Sequence, residues 1–104
     1  MIRINYCRTG DRHRLAVEGH AGQDQHGKDI VCAGVSAISF ALLSYLAQCG
    51  ADIKSLTGYS GNISVDCTGE EQVEVAFDMA MAGYLQISEH YPQYVNVYIA
   101  SQGS

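Results

Sequence analysis

The sequence predicts an α+β fold, β-β-α-β-β-α-β, in which a single mixed sheet carries two helices packed on one face. Two observations predict it. Five short segments alternate apolar with polar residues, the period of a half-buried strand, and two long ones repeat apolar residues at the 3–4 spacing of a helix. Two helices are the natural cover for one face of a single sheet. No repeat, linker or low-complexity stretch divides the 104 residues, so one domain, 1–104, is expected. At this length folding hides roughly 60–70% of the unfolded chain's surface, which allows a core without metal or disulfide staples.

The elements follow in order. Ile2, Ile4 and Tyr6 alternate with Arg3, Asn5 and Cys7 as a first strand. Thr9-Gly10-Asp11 is turn chemistry. Leu15 and Val17 alternate with Arg14, Ala16 and Glu18 as a second strand, the hairpin partner of the first. Continuing that alternation puts Gly19 on the Leu15/Val17 face and His20 on the other. From Gly19 to Lys28 there is no hydrophobic period, and Gly19, Gly22 and Gly27 punctuate it, so a mobile loop is expected. Asp29 is a good N-cap for a helix from Ile30 to about Cys49, with Gly50 as its stop. Val31, Val35, Ile38, Leu42, Tyr45 and Cys49 make its apolar stripe, and Ala33, Ala37, Ala41 and Ser44 a second stripe of small side chains. A helix so uncharged is expected to be buried on more than one side.

Ile53 to Thr57 is a weak strand signal, and Ile63, Val65 and Cys67 a clearer one, joined through the turn residues Tyr59-Ser60-Gly61-Asn62. Thr68-Gly69-Glu70-Glu71 matches a capping box. Val73, Phe77, Ala80, Tyr84, Ile87 and Tyr91 then keep helical spacing up to Pro92. Val95, Val97 and Ile99 form the last strand, and Gln102-Gly103-Ser104 is expected to fray.

Composition excludes several classes of function. All six basic residues lie at or before Lys54, whereas Asp66, Glu70, Glu71, Glu74, Asp78 and Glu89 follow it. Such an acidic half disfavours binding to a phosphate backbone and suits either a basic protein partner or a plainly solvated helix face. No basic start leads into an apolar run, and no stretch of about 18 uninterrupted apolar residues exists, so neither a signal peptide nor a membrane span is expected. The four cysteines, Cys7, Cys32, Cys49 and Cys67, form no CxxC pair and are expected to be reduced thiols in the cytoplasm. No nucleic-acid partner is expected, because basic residues are not interleaved with aromatic ones.

One stretch carries chemistry: Gly19-His20-Ala21-Gly22, a polar link, then Gly27-Lys28-Asp29-Ile30-Val31-Cys32-Ala33-Gly34-Val35-Ser36. With Asp29 as N-cap, Cys32 is the third residue of its helix. Its sulfur then sits near unpaired backbone N–H groups and the positive end of the helix dipole, which favour thiolate over thiol and can hold an oxyanion. His20 supplies an imidazole able to take the thiol proton and return it to a leaving amine. On residue type alone a histidine in a loop is more often a surface residue than a catalytic one. Asp29 caps the helix, or it helps orient His20 or holds the loop closed. Ser36, one turn beyond Cys32, donates to the thiolate, bonds back to the Cys32 carbonyl, or simply packs as a small residue.

The motif G-H-A-G followed by G-K-D-I-V-C-A-G-V-S resembles the signature of the bacterial ribosomal-processing cysteine protease (Prp) family, and length, element order and His–Cys separation resemble it too. The resemblance implies that Cys32 is the nucleophile and His20 its partner, with Asp29 and Ser36 in support and Gly19, Gly22 and Gly27 letting the loop move. It implies a cysteine endopeptidase, without cofactor or metal, that removes a short N-terminal extension from the twenty-seventh large-subunit ribosomal protein during ribosome assembly. It further implies that cleavage follows a small residue preceded by aromatic ones and that the protein is a homodimer. Where the family often has an aromatic residue just before Gly27, this chain has His26, a second imidazole near the site.

Two other readings compete. His20, Asp24, His26 and Cys32 are potential zinc ligands, but their spacing matches no common zinc motif. Alternatively the chain is a non-enzymatic ribosome-assembly or protein-interaction module in which Cys32 is merely buried. The long uncharged helix and the acidic second one suit that role. His13 and His90 read as surface or structural residues.

Overall fold

The computed structural model describes residues 1–20, 28–59 and 61–102. Its elements are β1 (Ile2–Thr9), β2 (Arg12–Glu18), α1 (Lys28–Gln48), β3 (Asp52–Tyr59), β4 (Asn62–Thr68), α2 (Glu71–His90) and β5 (Val95–Gln102), in the expected order. They form one five-stranded sheet, β3-β4-β2-β1-β5. β5 joins β1 in parallel and the other pairs are antiparallel, so the sheet is mixed.

Strand alternation sends Ile2, Ile4, Tyr6, Leu15, Val17, Ile63, Val65 and Cys67 under the helices, where they meet Val31, Val35, Leu42 and Leu46 of α1 and Val73, Phe77 and Tyr84 of α2. The opposite face carries Arg3, Asn5, Arg12 and Arg14. There Arg12 makes a two-pronged pair with Asp66 of β4 at 2.9 and 2.7 Å. β3 is an edge strand, bulged between Ile53 and Ser55, which explains its weak period.

Helix ends and faces differ from the sequence expectation in four places. α1 begins at Lys28, so Asp29 lies inside its first turn and is not its N-cap. Aspartate is favourable at both positions, because each places its charge at the positive end of the dipole, and residue type cannot separate them. The capping box does not form. Thr68 remains in β4, paired with Arg12, and Glu70 precedes α2 without a side-chain cap bond. Gln102 extends β5 rather than fraying. Finally, Tyr45 is 42% exposed while Ser39 is fully buried. Ser39 Oγ donates to the Val35 carbonyl at 2.7 Å and shares a 2.6 Å bond with the Tyr84 hydroxyl. A fully satisfied hydroxyl pair thus joins α1 to α2, which makes a polar residue tolerable in the core. Ala33, Ala37, Ala41 and Ser44 face outward. The apolar segment Ile30–Gln48, with mean hydropathy 2.1, has the length and composition to cross a membrane, a test that a core helix also passes.

His13 is a buried side chain, with Nδ1 2.6 Å from the Tyr6 hydroxyl and its ring stacked on Phe77 at 4.7 Å. Burial, reinforced by the Arg8 cation, lowers its pKa, and burial pushes Tyr6 up to about 12. In the folded state His13 therefore resists protonation, whereas in the unfolded chain it titrates near the ordinary value of about 6.5. Below that value the unfolded state binds the extra proton. This part of the stability is full above about pH 6.5 and falls as pH drops, by at most about 1.4 kcal/mol per pH unit. Thermal unfolding at pH 7.5 and 5.5 should show a smaller pH difference in His13→Asn than in wild type. Equal differences would show that His13 does not carry the effect.

Candidate active site

Strand pairing builds the site at one end of the sheet. β2 is central, and its last residue, Glu18, is paired with Arg3 on one side and Asn62 on the other. The chain therefore leaves β2 between the start of β1 and the residue just before β4. The Gly19 N–H donates to the Gly61 carbonyl at 3.0 Å, and the Met1 amino group donates to the His20 carbonyl at 2.6 Å. Gly19 has φ +98°, a conformation that side chains rarely permit, and a β-carbon there would overlap the Met1 carbonyl oxygen. This residue corrects the parity expectation. Strict alternation directs His20 to the open face of the sheet; the left-handed step at Gly19 interrupts the alternation and brings the imidazole to the helix side.

There His20, Cys32 and Ser36 line one cavity of about 30 Å³, with Val17, Val35 and Ile63 as its apolar walls. That volume is on the scale of a water molecule or two. A cavity of this size does not enclose a peptide, and His20 stands exposed beside it. Cys32 is the fifth residue of α1 rather than the third. Helical side chains lean toward the N-terminus, so its sulfur still lies over the first turn, where amide hydrogens lack intrahelical acceptors. Val31 and Val35, both buried, lock the rotation of α1 that presents Cys32 and Ser36 on the cavity side.

The other cysteines are placed differently. Cys67 is buried, and burial, with Asp66 beside it, pushes its thiol up to about 11, away from nucleophilic chemistry. Cys49 Sγ lies 3.7 Å from the Leu46 carbonyl, and Cys7 lies 3.8 Å from Arg14 Nη2 on the open sheet face. Among the described residues, no group of three or more His, Cys, Asp or Glu side chains is arranged to hold a metal ion. Gly22, Gly27, Asp24, His26 and the side chain of Asp29 lie outside what the structure describes.

The fold agrees with the comparisons to known proteins. The model of the family described as cysteine protease Prp matches residues 1–96. The chain belongs to the Prp family of cysteine proteases. A Prp relative, the ribosomal processing cysteine protease of Bacillus subtilis, is 41% identical over 46 residues, a match spanning 42% of this chain and 41% of that protein. SMU.848 from Streptococcus mutans superposes with a TM-score of 0.77 at 25% identity, over 98% of this chain and 96% of that one. The Prp of S. aureus, solved with a substrate peptide, superposes with a TM-score of 0.80 at 17% identity, over 95% of this chain and 99% of that one. The same S. aureus protease with a covalently linked product peptide gives 0.76 at 20% identity, over the same shares of the two chains. These S. aureus likenesses establish a Prp fold along nearly the whole chain.

Sequence reasoning missed Gly61 and the apolar walls Ile2, Val17 and Ile63. Gly61 is legible only as a turn residue, and nothing in the local sequence links it to His20. The link comes from β4 pairing beside β2.

Proposed function

We propose that this chain is a cysteine endopeptidase that removes a short N-terminal extension from a large-subunit ribosomal protein, the twenty-seventh, during ribosome assembly. The carrying observation is the cavity shared by His20, Cys32 and Ser36. Membership of the Prp family and the likeness to the ribosomal processing cysteine protease of Bacillus subtilis support the substrate class.

In the proposed reaction His20 takes the Cys32 proton and the thiolate attacks the scissile carbonyl carbon. The tetrahedral oxyanion lies toward the first-turn amides of α1, where a donor of this kind is worth about 3–4 kcal/mol. The C–N bond breaks, His20 protonates the leaving amine, and a thioester remains on Cys32. Water, deprotonated by His20, hydrolyses the thioester and restores the thiol. Ser36, one helical turn on, steadies the thiolate. Asp29, inside the first turn, adds a carboxylate whose role is to orient the loop that carries His20, and Gly19, Gly22 and Gly27 let that loop close on substrate. The site needs no metal or cofactor for these steps. The protein is proposed to act in the cytoplasm as a homodimer. The exposed apolar side chains Ile30, Phe40, Tyr45, Val75 and Met79 on the outer helix faces support self-association.

The test is a time course with a synthetic peptide spanning the extension and the mature start of the host's ribosomal protein, read by mass spectrometry. The expected result is two fragments cut after a small residue, with an acyl adduct on Cys32 in acid-quenched samples. Peptide binding without cleavage would overturn the proposal in favour of an interaction module.

A further inference from the structure

We infer that Gly61 is the seat of the His20 imidazole, a positioning residue that sets where the base stands relative to Cys32. The inference rests on the reading of His20 as the base. Gly61 has φ +80° and lies between β3 and β4, remote in sequence from the His–Cys motif. A β-carbon built on it stands 2.5 Å from Cε1 and 2.6 Å from Nε2 of His20, well inside contact distance. The imidazole therefore rests directly against the Gly61 backbone, in space that any side chain would occupy.

That backbone is not free to yield. Its carbonyl accepts the Gly19 N–H at 3.0 Å, and the next residue, Asn62, is paired with Glu18 on one side and Tyr59 on the other. The imidazole, in contrast, ends a side chain with two rotatable bonds and a solvent-exposed position. Added bulk at 61 is thus relieved by displacing the ring. Gly19 and Gly61 act as a pair: one turns the chain so that His20 reaches the cavity, and the other gives its ring a surface to stop against. Cys32 and Ser36 are carried by a separate element, α1.

Gly50 supplies a control already present in the fold. It has φ +79°, the same backbone demand as Gly61, yet a β-carbon there meets nothing within 4 Å. Gly50→Ala therefore reports backbone strain alone, and Gly61→Ala reports strain plus displacement of the imidazole. With the ribosomal-protein peptide as substrate, Gly61→Ala is expected to lower kcat about a hundredfold with KM changed less than about twofold, while Gly50→Ala stays within about threefold of wild type. The melting temperature of Gly61→Ala should also fall below that of Gly50→Ala, and this excess should vanish when both are placed in a His20→Ala background.

Equal activity losses in the two glycine variants, or an excess melting shift that persists without the imidazole, would overturn the inference. If Gly61→Ala does not fold, the Gly61→Ala/His20→Ala double variant decides. Recovery of a folded protein supports the seat and continued failure refutes it. Full cleavage by His20→Ala would instead refute the dyad, and the melting comparison would still report whether Gly61 seats the ring.

Discussion

Cys32→Ala is expected to abolish cleavage of the ribosomal-protein peptide, lowering kcat by about 10⁴-fold or more, with little change in melting temperature. The large kinetic effect follows from covalent catalysis. Without the sulfur no thioester forms, and what remains is binding plus whatever donors surround the carbonyl. The small stability effect follows from location: Cys32 is only partly buried, beside the core rather than in it. His20→Ala should lose activity to a similar extent, and the double variant should be scarcely worse than either single one, because in the proposed mechanism nucleophile and base work as a unit. Steady-state kinetics of the three variants, with circular dichroism to confirm folding, checks this. Retained turnover in Cys32→Ala would remove the proposed nucleophile, and additive losses would mean that the two side chains act independently.

Gly19→Ala should be the most damaging substitution outside the dyad. Holding an L-residue at φ +98° is worth about 1–3 kcal/mol of strain, and the new methyl group would also overlap the Met1 carbonyl. The backbone must shift just where His20 leaves the sheet, and a misplacement of about 1 Å in a catalytic group can lower the rate about a hundredfold. The expected outcome is a clear fall in melting temperature together with that loss in kcat/KM. Calorimetry and peptide cleavage measure the two effects on one sample. Activity within about twofold of wild type would show that the turn at Gly19 does not place the base.

Much of the fold was legible in the sequence because burial imposes a period. Alternation at Ile2, Ile4 and Tyr6 or at Ile63, Val65 and Cys67 requires only a sheet with one covered face, and those residues are buried in the structure. The same logic located α2, whose Val73, Phe77, Ala80 and Tyr84 are buried as the spacing requires. It was weaker for α1. An uncharged helix has no polar side to define its orientation, so the pattern admitted Tyr45 to the core and missed Ser39, whose burial depends on a hydroxyl 45 positions away on α2. The helix starts were also ambiguous, because aspartate, threonine and glutamate stabilise several positions near the first turn alike.

For the candidate site, the parts were legible in the chain alone: a cysteine near the start of a helix, a histidine flanked by glycines, a serine one turn beyond the cysteine, and a motif that resembles one protease family. That they line one cavity follows from contacts between distant parts of the chain. Two long-range facts bring them together: the pairing of β4 beside β2, which sets Gly61 against Gly19, and the left-handed step at Gly19, which carries His20 across from the open face to the helix side. The physical reason is that period and propensity are local, whereas strand order and a sign change in φ are settled by which distant backbone donors and acceptors find each other. The imidazole borders the cavity that Cys32 also lines, and a hairpin more than 40 residues downstream supplies the surface on which it rests.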